Sequence, residues 1–468
     1  MFTYRRTFVA AVLAVVGCRS QAPAAPSSPT SQNQTAQAVT QRPLTRASAI
    51  AIRVLAKGGT PALYQLPGLQ EMPGVLRGRL PPVASVVGVD PESEMLFAVT
   101  AKGELLGYDL ESGRVDTVAT GVAHAALGPD GTLFTVDTKK RVVSLERRVR
   151  VAWPQPLAAM PRELFGASDG RLIAIVTQDQ PRVITAASDQ PPAVRDLLLS
   201  GEVAITRWGE LLAVASDSGV TLVDPFARRA PAFVPLADHP RALAFSPAGH
   251  RLYVARRTSP GLAVIDRFER KEIDGVALPL PATDLRVDRF GRWLLARPAT
   301  GDSVWIVDLP IKRLVGAVPG GWNSDLPDVA PDGALLVRTG ADVVALQPDS
   351  LKQTGRVAGT AADLWVLTTW LPRGSLRALA DAAQGVTPVG DTTGGALYVQ
   401  VSVSQNQDWS TEMAQQLSRA GLAARVLPPA HPDDGYRVVL GPYPTREQAD
   451  AIGRKLGRPF WIYQPGQP

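Results

Sequence analysis

Residues 246–271 read SPAGHRLYVARRTSPGLAVIDRFERK. A turn, Ser246-Pro247-Ala248-Gly249, leads into the apolar run Leu252-Tyr253-Val254-Ala255, and a second run, Leu262-Ala263-Val264-Ile265, ends on Asp266. Short apolar runs bounded by turn formers read as buried strands. The same order recurs along the chain. Pro129-Asp130-Gly131, Ser168-Asp169-Gly170, Trp208-Gly209-Glu210, Phe290-Gly291 and Pro331-Asp332-Gly333 each precede a pair of such runs, and an earlier copy carries Ser93 at the glycine position. The anchors at 93, 131, 170, 209, 249, 291 and 333 are 38 to 42 residues apart.

That period, with four short strands per unit, is the size of a β-propeller blade. One unit cannot bury its apolar faces alone, and radial stacking lets every sheet bury both. Composition agrees: 41 Gly and 41 Pro with 6% aromatics favour many short strands over long helices. The ends suggest how the ring closes. Ile52 through Tyr64 line up with Leu96 through Tyr108 at an offset of 44, so the amino-terminal part lacks an innermost strand. The orphan run 362–368 can supply it, which makes eight blades; seven, with the ends meeting only at an edge, is the alternative. The aspartates that follow third strands (Asp109, Asp224, Asp266, Asp308) read as Asx turns and not as an acidic ring. The repeat resembles lactonase-like and YVTN-type propeller repeats over roughly 46–370, a resemblance shared by proteins of many functions.

The chain opens MFTYRRTFVAAVLAVVGCRS. Two arginines precede ten apolar residues, too short to span a bilayer and suited to a signal h-region. Val15-Val16-Gly17-Cys18 resembles a bacterial lipobox, which implies cleavage after residue 17 and acylation of Cys18, the single cysteine of the chain. Arg19, in place of Asp, points by analogy to the periplasmic face of the outer membrane. Residues 18–45, rich in Gln, Ser, Thr, Ala and Pro, read as a disordered tether. The expected organisation is therefore leader 1–17, acylated tether 18–45, propeller 46–370, linker 371–395 with one short helix at 375–384, and a small α+β domain at 396–468.

This last segment has a different grammar. Leu397 to Val403 alternates as a strand, Asp408 to Ala420 is helical, and Ala423 to Leu427 and Tyr436 to Leu440 are strands. Thr445-Arg446-Glu447-Gln448 is a capping box opening a second helix, and Phe460 to Tyr463 closes the domain. The order βαββαβ is ferredoxin-like, with both helices on one face of the sheet. Tyr398-Val399-Gln400-Val401, the helix end Leu417 to Gly421, and Tyr436 through Gly441-Pro442-Tyr443 resemble a SPOR domain. That resemblance implies binding to septal peptidoglycan, to glycan strands stripped of their peptides. The usual Gly-x-Phe after the first-strand glutamine is here Ser402-Val403-Ser404. Strand alternation places Tyr398, Gln400, Ser402, Ser404, Arg437, Val439, Trp461 and Tyr463 on the open face. The expected glycan-binding residues are Gln400, Ser402, Ser404, Arg437, Tyr443, Trp461 and Tyr463.

Other chemistries have less to stand on. The net charge of +6 includes Arg5 and Arg6 of the leader, and no block of like charge suggests a nucleic-acid tail. The sheet is similar to an RRM layout, but the export signal and the lack of an RNP-type aromatic pair weigh against RNA. His124, His239, His250 and His431 are scattered, so neither a metal nor another cofactor is expected. The expected partners are peptidoglycan glycan strands, a membrane reached through the acyl anchor, and a protein partner for the propeller. The alternative is a periplasmic propeller enzyme, lactonase- or dehydrogenase-like, positioned by the last domain.

Overall fold

The computed structural model describes residues 48–90, 93–146, 149–167, 170–177, 181–187, 193–196, 202–226, 230–370, 372, 397–404, 407, 410–411, 414, 417–418, 422–429, 435–456 and 460–464. The expected leader, the Cys18 acylation site, the expected tether and the helix expected at 375–384 lie outside these residues.

Among the described residues, 48–370 form eight four-stranded antiparallel sheets. Seven are meanders of consecutive strands, at 85–119, 122–152, 161–196, 203–235, 240–276, 282–319 and 328–357. The eighth takes its inner strand, Leu364–Trp370, from the far end of the chain and its others from Ser48–Val54, Ala62–Gln65 and Gln70–Glu71. Leu364–Trp370 and Ser48–Val54 pair along their whole length, from Ser48 opposite Trp370 to Val54 opposite Leu364. The ring therefore closes through a shared blade, which leaves no open sheet edge at the join.

Each sheet buries both faces because its apolar runs send alternate residues to opposite neighbours. Leu252 and Val254 pack with Ala213, Ala215 and Leu222 of the preceding blade, while Tyr253 and Ala255 pack with Leu294, Ala296 and Trp305 of the following one. The join carries its own polar staples. Arg338, almost fully buried, pairs with Asp325 at 2.5 Å and donates to the carbonyls of Thr360, Ala361 and Asp363, while the Trp365 amide donates to the same Asp325 carboxylate. From the amino-terminal side, Arg53 Nε donates to Asp363 at 2.7 Å.

Six copies of the first hairpin turn place a glycine, Gly131 through Gly333, at φ between 64° and 89°. In the first copy the left-handed residue is Glu94 (φ 56°), one place beyond the expected Ser93. Three of the four repeated aspartates accept backbone amides as Asx turns: Asp109 from Glu111 and Ser112, Asp224 from Phe226, and Asp266 from Phe268 and Glu269. Asp308 instead faces Arg292 at 3.8 Å.

The carboxy-terminal domain is one antiparallel sheet in the order Ala424–Leu427, Tyr436–Tyr443, Leu397–Ser404, Trp461–Tyr463. A helix, Arg446–Leu456, follows the Thr445 cap, whose hydroxyl accepts from the Gln448 amide at 3.3 Å. Residues 407, 410–411, 414 and 417–418 are helical too. Ala414, Leu417, Ala449 and Ile452 pack on Val399, Val438 and Leu440, so one sheet face is the core and the other is open.

Candidate functional site

Antiparallel partners directly opposite each other share a sheet face. Arg425 lies opposite Val439, Val439 opposite Gln400, and Gln400 opposite Trp461, so a guanidinium, an isopropyl group, an amide and an indole form one row across the open face. Tyr398 and Tyr463, also opposite each other, form the next row. Trp461, at the edge, is 70% exposed, an unusual position for an indole that no core claims.

Two arginines organise this surface. Arg437 Nη1 donates to Gln400 Oε1 at 3.1 Å, and its guanidinium lies 5.1 Å from the centre of the Tyr463 ring. Arg425 lies 5.5 Å from the Tyr398 ring centre and donates to the Gly441 carbonyl at 3.3 Å. Each cation–π contact of this kind contributes about 0.5–1 kcal/mol and, more to the point, fixes a planar group over a ring. The Gln400 amide oxygen is thereby engaged by Arg437. None of these six polar or aromatic side chains is a carboxylate, so the face suits hydroxyl-rich or anionic ligands with flat apolar sides.

The strand alternation used above holds for Gln400, Arg437, Trp461 and Tyr463 and breaks at two bulges in the pairing of Leu397–Ser404 with Tyr436–Tyr443. The first sets Leu397 opposite Tyr443 but Val399 opposite Leu440, one extra residue on the partner strand. Tyr443 is thereby turned to the helix side, where it is buried beside Leu440 and Ala449, and burial pushes its phenol up to about 12. It is a core residue and not part of the open face. The second bulge, at Val401, puts Ser402 opposite Val438 and Ser404 opposite Tyr436, so the alternation that assigned both serines to the open face does not run through it. Val439 keeps its place in the row yet is fully buried between its neighbours. Arg425, which the sequence reading did not single out, enters only through the pairing of its strand with Val439.

Residues 393–459 match the family model described as the SPOR domain. This segment is a SPOR domain. SPOR domains bind peptidoglycan and are associated with cell division, which places the chain in the cell envelope. Among the described residues, no helix is long and apolar enough to cross a membrane. The propeller is similar in fold to apo AztD from Citrobacter koseri, with 12% identity over 69% of this chain and 98% of that one and a TM-score of 0.50. A second Citrobacter koseri AztD structure matches with the same identity and TM-score over 99% of its length. Dihydro-heme d1 dehydrogenase NirN in complex with DHE aligns at 15% identity, covering 68% of this chain and 74% of that one, with a TM-score of 0.49. No curated protein matches the chain. The likeness to AztD agrees with the propeller described above and leaves its activity open.

Proposed function

We propose that this chain is a lipid-anchored envelope protein, held on the periplasmic face of the outer membrane through Cys18. Its SPOR domain grips peptide-stripped glycan strands during division, and its propeller serves as an interaction module for a protein partner. The observation that carries the glycan reading is the row Arg425, Val439, Gln400, Trp461, reinforced by Arg437 and Tyr463. Sugar C–H faces stack on an exposed indole, and sugar hydroxyls accept from an amide whose orientation is already set. Removing the peptide supplies a second match. Hydrolysis of the amide between muramic acid and its stem peptide leaves a carboxylate on each muramyl lactyl group, and Arg425 and Arg437 are the guanidinium partners for such groups.

Co-sedimentation of the full chain with purified sacculi, before and after amidase treatment, tests this. Treated sacculi should pellet the wild type and untreated sacculi should pellet much less, while Gln400→Ala, with an unchanged melting profile, should stay in solution. Equal pelleting by both kinds of sacculi would remove the preference for stripped strands. The anchor is tested separately: Cys18→Ser should release the protein from membranes or leave it unprocessed, and unchanged mobility with unchanged membrane association would rule out acylation.

A further inference from the structure

Two adjacent turns of the propeller repeat one pattern, Asp266-Arg267-Phe268-Glu269-Arg270 and Asp288-Arg289-Phe290-Gly291-Arg292. The first joins the third and fourth strands of the fifth blade and the second joins the first and second strands of the sixth. In an antiparallel meander these two connections lie at the same end of the sheet. Contacts between blades confirm that the surface is continuous: Arg267 pairs with Glu210 of the fourth blade at 3.4 Å, and Pro247 of the fifth lies against Gly291 of the sixth. The third-to-fourth turn of the sixth blade, with Ile311, belongs to the same end, and its Lys312 pairs with Asp274 of the fifth blade.

The aspartates fold these turns and do not decorate them. Asp266 Oδ1 accepts from the amides of Phe268 and Glu269 at 2.8 and 2.9 Å, and Asp288 accepts from Phe290 and Trp293 at 3.0 and 2.7 Å. What the turns present outward is apolar: Phe268, Phe290 and Ile311 are 67%, 54% and 57% exposed. Around them stand Arg267, Arg270, Arg289, Arg292, Lys312 and Arg313. The nearby carboxylates are engaged, Glu269 with Lys271 at 2.7 Å, Asp266 with Arg251, and Asp308 facing Arg292. Burial, and then the charge of Arg207 two blades away, hold the Arg289 guanidinium below its ordinary value, against the opposing pull of Asp328 and Asp288.

The turns thus carry exposed apolar side chains flanked by cations. They suit a flat anionic surface whose interior accepts rings and whose phosphates accept guanidinium groups. We propose that this end of blades five and six is a membrane-docking face, seating Phe268, Phe290 and Ile311 in the headgroup region of an anionic phospholipid bilayer. The face is independent of the acyl anchor and would orient a propeller that the anchor only tethers.

The chain has one cysteine, so full-length Cys18→Ser gives a background for single labels. The turn of Ala248 lies against Gly291 through Pro247 and against Phe268 through His250, so Ala248→Cys places an environment-sensitive nitrobenzoxadiazole label beside the two phenylalanine turns, and Pro260→Cys places it at the opposite end of the same blade. With vesicles of equal parts phosphatidylglycerol and phosphatidylethanolamine, the label at 248 should shift to the blue and brighten about threefold. It should lose that response in high salt. It should stay silent with phosphatidylcholine, and the label at 260 should stay silent throughout. Combining Phe268→Ser, Phe290→Ser and Ile311→Ser, all at exposed positions, should abolish the response without changing the melting profile. Silence at 248 with anionic vesicles, or equal responses at 248 and 260, would overturn the proposal. A response to soluble poly-glutamate but not to vesicles would overturn it as well, and would assign the face to an acidic protein.

Discussion

The propeller blades and the SPOR sheet are each built from four antiparallel strands, and bulged pairings occur in both, yet a bulge means different things in the two. Among the described residues, five of the eight blades carry a bulge at the same place, between first and second strands, as at Val86/Gly88 and Ala282/Asp284. A blade is covered on both faces, so a residue displaced by a bulge moves from one buried face to another. The SPOR sheet has a core face and an open face. There a one-residue slip moves a side chain from the open face to the core, as it does for Tyr443. Repetition tolerates irregularity where both sides are buried, whereas in a one-sided sheet it decides which side chains stay on the open face.

The largest expected effect comes from breaking the shared blade. A chain ending at Ala361 loses the strand that pairs with Ser48–Val54 and removes Trp365, Leu367 and Trp370 from two core clusters. The propeller should lose its cooperative thermal transition by calorimetry; a fragment melting like the parent would refute closure through a shared blade. Next, Arg338→Met leaves Asp325 and three carbonyls without their buried donor and should cost about 3–5 kcal/mol by urea denaturation. The loss should appear in the propeller transition and not in that of the SPOR domain.

A smaller effect sharpens the reading of the first bulge. Gly441 sits at φ 116°, and a Cβ there would lie 2.9 Å from the Tyr443 ring. Gly441→Ala should therefore cost the SPOR domain about 1–3 kcal/mol, measured by its own denaturation transition. The buried Tyr443 phenol predicts a pH effect of definite sign. Its proton is held more tightly folded than unfolded, from an ordinary 10.0 up to about 12. The stability it lends is full below pH 10 and is lost as pH rises towards 12. Tyr443→Phe should flatten the SPOR domain's stability across that window. Smallest of all, Trp461→Ala should change stability by no more than about 0.5 kcal/mol, because the indole is mostly exposed.

Much of the fold was legible because its signal is redundant. Seven copies of a turn followed by two apolar runs outvote any irregular one, so Ser93 could stand for the glycine although Glu94 takes the left-handed position. Closure was legible because Ile52 and Tyr64 keep the spacing of Leu96 and Tyr108. On the SPOR face, Gln400, Arg437, Trp461 and Tyr463 were legible from alternation. Tyr443 was not, because an extra residue in one strand leaves no mark in the pattern of either. Arg425 was not, because its place depends on which strand lies beside Tyr436–Tyr443 and in what register, a long-range fact that a local pattern does not carry.

The central claim is that glycan binds the open sheet face, with the Gly-Pro-Tyr segment serving the core behind it. Side-by-side co-sedimentation of Trp461→Ala and Tyr443→Phe with amidase-treated sacculi tests it most directly. Trp461→Ala should lose about tenfold in affinity, the scale of one aromatic anchor, while Tyr443→Phe, which keeps its buried ring, should pellet like the wild type. Retention of Trp461→Ala together with release of a folded Tyr443→Phe would contradict the account and move the ligand to the other side of the sheet.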